Sequence, residues 1–192
     1  NVIIFVVILL VFLIGFVPSM AVTISSNDSY SAIYRGNSSK NGVSLMFNVY
    51  ENTEIVENIL DVLDENNAKA TFFVGGCWAD DNQNTLKRII SDGHELANHG
   101  YFHKDHKKLS YDENVREILD CDKIVTALTG YKMVLFAPPS GSFSKNTLNA
   151  SINLGYKTIM WSKDTIDWRD SDETLIFNRV KNAKSGDLIL MH

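Results

Sequence analysis

The sequence predicts an α/β fold in which parallel strands form an open sheet or close into a barrel. Short apolar segments alternate with longer segments of helical periodicity from residue 42 to the end of the 192-residue chain. Capping residues stand where the helical segments begin, and glycines stand near the ends of several. Polar side chains follow several of the apolar segments, and the carboxyl ends of parallel strands carry the functional groups in both arrangements.

Six segments have the composition of buried strands, because they are short, mostly apolar and bounded by turn residues. They are residues 43–48, 70–74, 94–98, 133–136, 156–161 and 187–191. Strands of a parallel sheet have this composition because helices cover both of its faces.

Five helices are expected between these strands. They run over residues 54–66, from Asn84 to Gly93, from Ser110 to Gly130, from Ser144 to Gly155 and from Ser171 to about Lys184. The first is amphipathic, and the third starts at Ser110 with Glu113 three residues later, which is the pattern of a capping box.

Charge and cysteine content exclude several classes of protein. The net charge is −5, and lysine and arginine are scattered without a basic stripe, so a nucleic-acid partner is not expected. Only Cys77 and Cys121 are present, which is neither a disulfide framework nor a paired Cys-x-x-Cys metal site.

The first residues of the chain differ in kind from the rest. Residues 1–21 are predicted to be an apolar signal peptide or membrane anchor, with small residues before a cleavage position after Ala21. A buried core helix is the alternative, although no polar face interrupts the apolar segment. Residues 22–41 have the Ser- and Asn-rich composition of a linker, and residues 42–192 form the predicted domain.

A histidine pair, His99 and His103, follows the predicted strand 94–98. Side chains four residues apart share a face if the segment turns helically, and neutral imidazole is a preferred zinc ligand. Two histidines alone are weak evidence, because a zinc site normally needs three protein ligands. Asn48, Asp164 and His192 stand near the ends of other predicted strands, so all these side chains are expected at one rim of the sheet.

Five segments, taken in order, resemble the motifs of the polysaccharide deacetylase family with the NodB homology domain, carbohydrate esterase family 4. Residues 46–50 (Met-Phe-Asn-Val-Tyr) align with Thr-Phe-Asp-Asp-Gly, and residues 99–103 (His-Gly-Tyr-Phe-His) with His-Ser/Thr-x-x-His. Residues 137–141 (Ala-Pro-Pro-Ser-Gly) align with Arg-x-Pro-x-Gly. Residues 164–168 match Asp-x-x-Asp-Trp, and residues 190–192 match Leu-x-His. The resemblance implies a distorted (β/α) barrel that is truncated here at its C-terminal end.

Three substitutions separate the chain from the motifs. The family's general base and third metal ligand are the two aspartates of the first motif, and Asn48 and Val49 stand at these positions. Ala137 replaces the arginine that pairs with the base. Losing the base together with its partner is chemically coherent, because an arginine beside a neutral amide would be poorly compensated.

The resemblance implies that His99 and His103 bind a divalent metal, zinc in the first place, which the missing ligand leaves weakly held or absent. The Asn48 amide, Glu51, Asp105 or His106 is an alternative third ligand.

It further implies that His192 is the general acid, that Asp164 orients it, and that Asn48 occupies the substituted base position. Trp168, Pro139 and Tyr101 are expected to contact substrate.

The expected function is that of an exported deacetylase-like hydrolase with weak activity on N-acetyl groups of cell-wall glycan, peptidoglycan or a chitin-like polymer. It would be secreted or held at the membrane by the N-terminal segment. The alternative is a catalytically inactive pseudoenzyme that binds glycan in the same groove.

Overall fold

One seven-stranded parallel sheet organises residues 31–192, which the computed structural model describes. Its strands are β1 (Ser44–Val49), β2 (Thr71–Val74), β3 (Glu95–Asn98), β4 (Leu135–Phe136), β5 (Lys157–Thr158), β6 (Lys163–Asp164) and β7 (Leu188–Met191). The order across the sheet is β5-β4-β3-β2-β1-β7-β6, and all six neighbouring pairs are parallel.

The sheet is curled into a half-barrel, which confirms the predicted distorted barrel. Ile33 bridges to Ile159 directly after β5, and Arg35 bridges to Asp187 directly before β7. Five strand spacings separate β5 from β7, which is about 24 Å in a flat sheet at about 4.8 Å per strand. Two residues of extended chain cover only about 7 Å. The sheet must therefore bend back so that one short segment reaches both strands.

Apolar residues on the two faces of the sheet form separate clusters. Phe72 belongs to the cluster between the sheet and its helices, whereas Phe73 belongs to the cluster inside the curl. Successive side chains of a strand point to opposite faces, which explains this division. Phe47 and Phe72 stack in the outer cluster with their ring centroids 5.2 Å apart.

Six α-helices connect the strands of the described domain: α1 (Thr53–Glu65), α2 (Gly76–Asp81), α3 (Gln83–Ser91), α4 (Tyr111–Thr129), α5 (Lys145–Asn153) and α6 (Glu173–Val180). The capping box that starts α4 is confirmed, since the Ser110 side chain accepts from the Glu113 N–H and the Glu113 carboxylate accepts from the Ser110 N–H. The helix ends at Gly130, whose φ of 70° is in the left-handed region that glycine adopts readily.

Several boundaries differ from those predicted. The N-cap of α3 is Asn82, two residues before the predicted Asn84, and the separate short helix α2 precedes it. Strand β6 was not predicted, because two residues are too short to show a periodic pattern. Residues 33–36, predicted as linker, are hydrogen-bonded to the sheet and to the turn before β7, for example through Gly36 N–H to Gly186 O.

The predicted signal peptide or anchor, residues 1–21, lies outside the described residues. Among residues 31–192, no helix is long and apolar enough to cross a membrane.

Candidate active site

A cleft of about 770 Å³ opens at the rim where β1, β3, β6 and β7 end. Six residues that the sequence placed at the site line it together: Asn48, His99, His103, Asp164, Trp168 and His192. The parallel strands deliver them to a common edge, as the strand order requires.

His99 lies directly after β3 and is 1% exposed. Its Nδ1–H donates to the carbonyl oxygen of Ala137 over 2.8 Å, which leaves Nε2 with its lone pair in the neutral ring. Burial, together with the neighbouring His103, lowers the pKa of His99 to about 3. His99 is therefore a neutral imidazole at physiological pH.

His103 reaches the same place through a loop, and not through the helical turn that would put side chains four residues apart on one face. Residues 99–105 contain no helix, and His103 itself has a φ of 54° in the left-handed region. Its ring centroid lies 5.2 Å from that of His99 and 4.6 Å from that of Tyr50. Burial lowers the pKa of His103, which also favours the neutral imidazole.

Glu117 of α4 holds this loop in place. Its buried Oε2 accepts from the backbone N–H groups of Tyr101 (3.1 Å) and Phe102 (2.8 Å), and its Oε1 pairs with Lys104 Nζ at 2.9 Å. The carboxylate thereby fixes the backbone directly before His103 and pairs with the side chain of the residue directly after it.

The substituted motif positions offer no carboxylate and no guanidinium group. Asn48 Oδ1 is buried without a hydrogen-bond partner. Val49 packs in the apolar cluster between the sheet and the helices. Ala137 is fully buried and contributes its backbone carbonyl to His99.

These residues do not fit a firmly held catalytic metal. Within residues 31–192, no group of three or more His, Cys, Asp and Glu side chains is arranged to hold one. Of the alternative ligands, Asp105 is occupied by Ser142 and Lys108, and His106 Nδ1 is bonded to Asn114 inside the core. Only Glu51 and Asn48 also line the cleft. The two imidazoles offer fewer donors than the three protein ligands usual for catalytic zinc.

His192 is oriented by Asp167, and the predicted pairing with Asp164 is wrong. The His192 ring donates from Nδ1 to Asp167 Oδ1 over 2.8 Å, and its backbone N–H donates to Oδ2 over 2.9 Å. Burial raises the pKa of Asp167, but these hydrogen bonds outweigh burial and lower the pKa overall. Asp164 Oδ1 instead accepts from the Ile166 N–H, in a turn where Ile166 has a φ of 55°.

Of the three predicted substrate contacts, the structure places one in the cleft. Trp168 lines it and is 63% exposed, as a stacking platform must be. Pro139 is buried, and the Tyr101 ring packs over Gly76 at the start of α2, so neither is among the lining residues.

Trp161 and Tyr50 line the cleft and were not predicted there. Trp161 packs over Gly141, where a Cβ would lie 2.6 Å from its ring. Tyr50 stands at the glycine position of the first motif. This replacement is the feature of the sequence that could have predicted a tyrosine ring in the cleft.

Comparison with known proteins identifies relatives over most of the chain. The family model described as polysaccharide deacetylase matches residues 35–159, which is well over half of the chain. A peptidoglycan-N-acetylglucosamine deacetylase of Bacillus cereus is 34% identical over 166 residues, covering 86% of this chain and 60% of that protein.

Two crystal structures share the fold closely. The wild-type BA3943 protein of Bacillus anthracis, described as a CE4 family pseudoenzyme, superposes with a TM-score of 0.82 at 36% identity over 85% of this chain and 59% of that one. A BA3943 mutant described as having restored enzymatic activity gives the same TM-score at 34% identity, over 85% and 61% of the two chains. The chain thus spans about three fifths of the length of each of these proteins.

Proposed function

This chain belongs to the polysaccharide deacetylase family, and from that premise we propose that its cleft binds N-acetylated cell-wall glycan, peptidoglycan in the first place, and hydrolyses the N-acetyl groups slowly. The observation that carries the proposal is the convergence of His99, His103 and the His192–Asp167 pair in one cleft beside an exposed tryptophan. The similarity to a peptidoglycan deacetylase supports the choice of glycan.

His192 is proposed as the general acid of the reaction. Amide hydrolysis breaks the C–N bond after water adds to the carbonyl carbon, and the departing nitrogen needs a proton. Because Nδ1 of His192 is engaged by Asp167, Nε2 is the atom left to carry that proton. Asp167 acts as a positioning residue, since it fixes the ring orientation and stabilises the protonated ring.

Hydrolysis is slow because the cleft lacks a base at position 48. The neutral amide of Asn48 does not remove a proton from water near neutral pH, and general-base assistance contributes about 10²–10⁴-fold to such rates. Zinc is proposed to be weakly held or absent, because the cleft offers two imidazoles where catalytic zinc usually has three protein ligands. The attacking water therefore gains little activation from a metal.

Binding without hydrolysis is the second candidate function. The substitutions at Asn48, Val49 and Ala137 favour it, and so does the similarity to a CE4 family pseudoenzyme. Under both proposals the protein acts outside the cytoplasm, where cell-wall glycan lies. Residues 1–21 are proposed as the export signal or anchor.

Acetate release from N-acetylglucosamine oligomers and from purified peptidoglycan tests the first proposal, with zinc content measured on the same protein. Slow acetate release that His192→Ala abolishes supports the hydrolase. Oligomer binding without acetate release supports the second candidate. Absence of both binding and release refutes the two proposals together.

A further inference from the structure

The inner wall of the cleft presents hydrogen-bond acceptors that no described group satisfies. His99 donates from Nδ1 to Ala137, so its Nε2 is an acceptor in the neutral ring, and His99 lines the cleft while being 99% buried. Asn48 Oδ1 is a second acceptor, buried and without a partner. A buried acceptor without a donor is unfavourable, so a ligand that donates hydrogen bonds here is favoured.

Carboxylates add negative charge to the same space. Glu51, Asp164 and Asp167 line the cleft, and its lining includes no lysine or arginine among the described residues. The guanidinium groups nearest in sequence, Arg169 and Arg179, both pair with Asp170 outside the cleft. The donor set is too small for a firmly held metal, so the carboxylates of Glu51 and Asp164 are not balanced by one, whereas Asp167 is already engaged by His192.

We propose that the cleft binds glycan carrying free amino groups, glucosaminyl units, more tightly than fully N-acetylated glycan. This preference deepens the proposed function and rests on it, because it assumes that the cleft is the glycan site. A protonated amine brings a positive charge and three N–H donors and has no acceptor of its own. An N-acetyl group is neutral and brings one N–H donor, and its carbonyl oxygen cannot donate to either of these two acceptors.

The aromatic residues of the cleft support the same preference. Trp161 and Trp168 both line it, and an ammonium group is attracted to the face of an indole ring. As a hydrolase, the protein would therefore retain its own product. As a binding protein, it would recognise glycan from which a deacetylase has already removed acetyl groups.

Titration of the protein with two matched probes tests the preference: the β-1,4-linked N-acetylglucosamine oligomer and the fully deacetylated oligomer of the same length. Calorimetry near neutral pH and low salt is expected to give at least tenfold tighter binding of the deacetylated oligomer. Raising the salt from about 0.01 M to about 1 M shortens the Debye length from about 30 Å to about 3 Å and should reduce this advantage selectively.

Asp164→Asn is the informative variant. The amide keeps an acceptor for the Ile166 N–H, so the fold is preserved while one carboxylate is lost. It should weaken binding of the deacetylated oligomer about fivefold or more, and by a clearly larger factor than it weakens binding of the acetylated one. Asp112→Asn, at an exposed carboxylate of α4 outside the cleft, is the control and should change neither.

Equal affinities for the two oligomers, or tighter binding of the acetylated one, overturn the preference and leave the proposed glycan site intact. Failure to bind either oligomer overturns both. A preference that survives high salt and Asp164→Asn unchanged also overturns the proposal, because the cleft charge would then play no part in it.

Discussion

The His192 imidazole and the Asp167 carboxylate meet at two points, since the ring Nδ1 lies 2.8 Å from one carboxylate oxygen and the backbone nitrogen 2.9 Å from the other. A contact of this kind fixes both the position of the ring and its tautomer, because only a protonated Nδ1 can donate to a carboxylate. Nε2 is therefore the ring atom left for substrate.

Asp167→Asn should disturb this tautomer. Its amide offers one acceptor and one donor to two N–H groups that both need an acceptor, so the single orientation of the ring is lost. Imidazole ¹⁵N chemical shifts of His192 should move from a predominantly Nδ1-protonated ring toward a mixture. Asp164→Asn is the matched control in the same cleft and should leave these shifts unchanged. A shift caused by Asp164→Asn alone would reverse the assignment.

Trp168→Ala should weaken glycan binding without lowering stability. The ring is 63% exposed and lines the cleft, so its removal costs little packing but removes a stacking surface worth about 1 kcal/mol, or about fivefold in affinity. Phe177→Ala is a matched control, because Phe177 is also 63% exposed and does not line the cleft. An equal loss of affinity in both variants would show that Trp168 makes no specific contact.

Much of this architecture could be predicted from the sequence, because local signals and the global fold agree. The capping box at Ser110 marks a helix wherever it occurs, and strand-helix alternation forces a parallel sheet whose carboxyl ends meet. This rule correctly predicted that Asn48, His99 and His192 lie in one cleft, although these residues are far apart in the sequence.

The side-chain pairing within the cleft could not be predicted in the same way. Asp164 and Asp167 belong to one motif, and spacing does not tell which carboxylate faces His192. The choice is made by a turn in which Ile166 takes a left-handed φ and Asp164 accepts the Ile166 N–H. Pro139 was expected in the cleft because it follows a predicted strand, but within its 3₁₀ turn Pro139 is buried and Ser140 lines the cleft.

Glu117→Ala should destabilise the loop that carries His103. Two backbone N–H groups lose a charged acceptor, and a hydrogen bond to a charged group contributes about 1.5–3 kcal/mol. Because two such bonds are lost, urea unfolding should show that the free energy of unfolding falls by at least this amount. Glu117→Gln keeps an acceptor oxygen and should lose clearly less. If both variants lose the same amount, the charge and its Lys104 partner matter instead of the loop hydrogen bonds.

Stability should fall as the pH is lowered from about 7.5 to about 5. Burial lowers the pKa of His94, His99, His103 and His106 below the ordinary value of 6.5. Below pH 6.5 the unfolded chain therefore binds more protons than the folded one, and the free energy of unfolding decreases until the folded-state pKa values are reached.

His94→Asn isolates one contribution to this dependence. The Asn side-chain oxygen can replace the ring Nδ1 that accepts the Ala70 N–H, but it does not take up a proton. Whatever its stability at high pH, this variant should lose less stability on acidification than the parent protein. Identical slopes of unfolding free energy against pH would show that His94 does not titrate on unfolding.

Asn48→Asp combined with Val49→Asp should create zinc binding and raise acetate release. The resemblance assigns these positions to the base and the third metal ligand, and a mutant of a similar pseudoenzyme is described as having restored activity. Val49 is 3% exposed and packs in the core, so the double variant should lose several kcal/mol of stability without metal. Zinc should recover it, because a ligand that binds only the folded state raises the melting temperature.

The melting temperature with and without zinc, and the acetate release rate, distinguish the possible outcomes. The parent protein should show no zinc-dependent stabilisation, since its two imidazoles fall short of three strong ligands. Asn48→Asp alone should show less stabilisation by zinc than the double variant, since it adds one carboxylate where the double variant adds two. The double variant should release acetate about 10²-fold faster than the parent. A folded double variant whose melting temperature does not respond to zinc would show that the side chain at position 49 points toward the helices and not toward His99. A variant that binds zinc but releases no acetate would show that Ala137 or Tyr50 is what prevents hydrolysis.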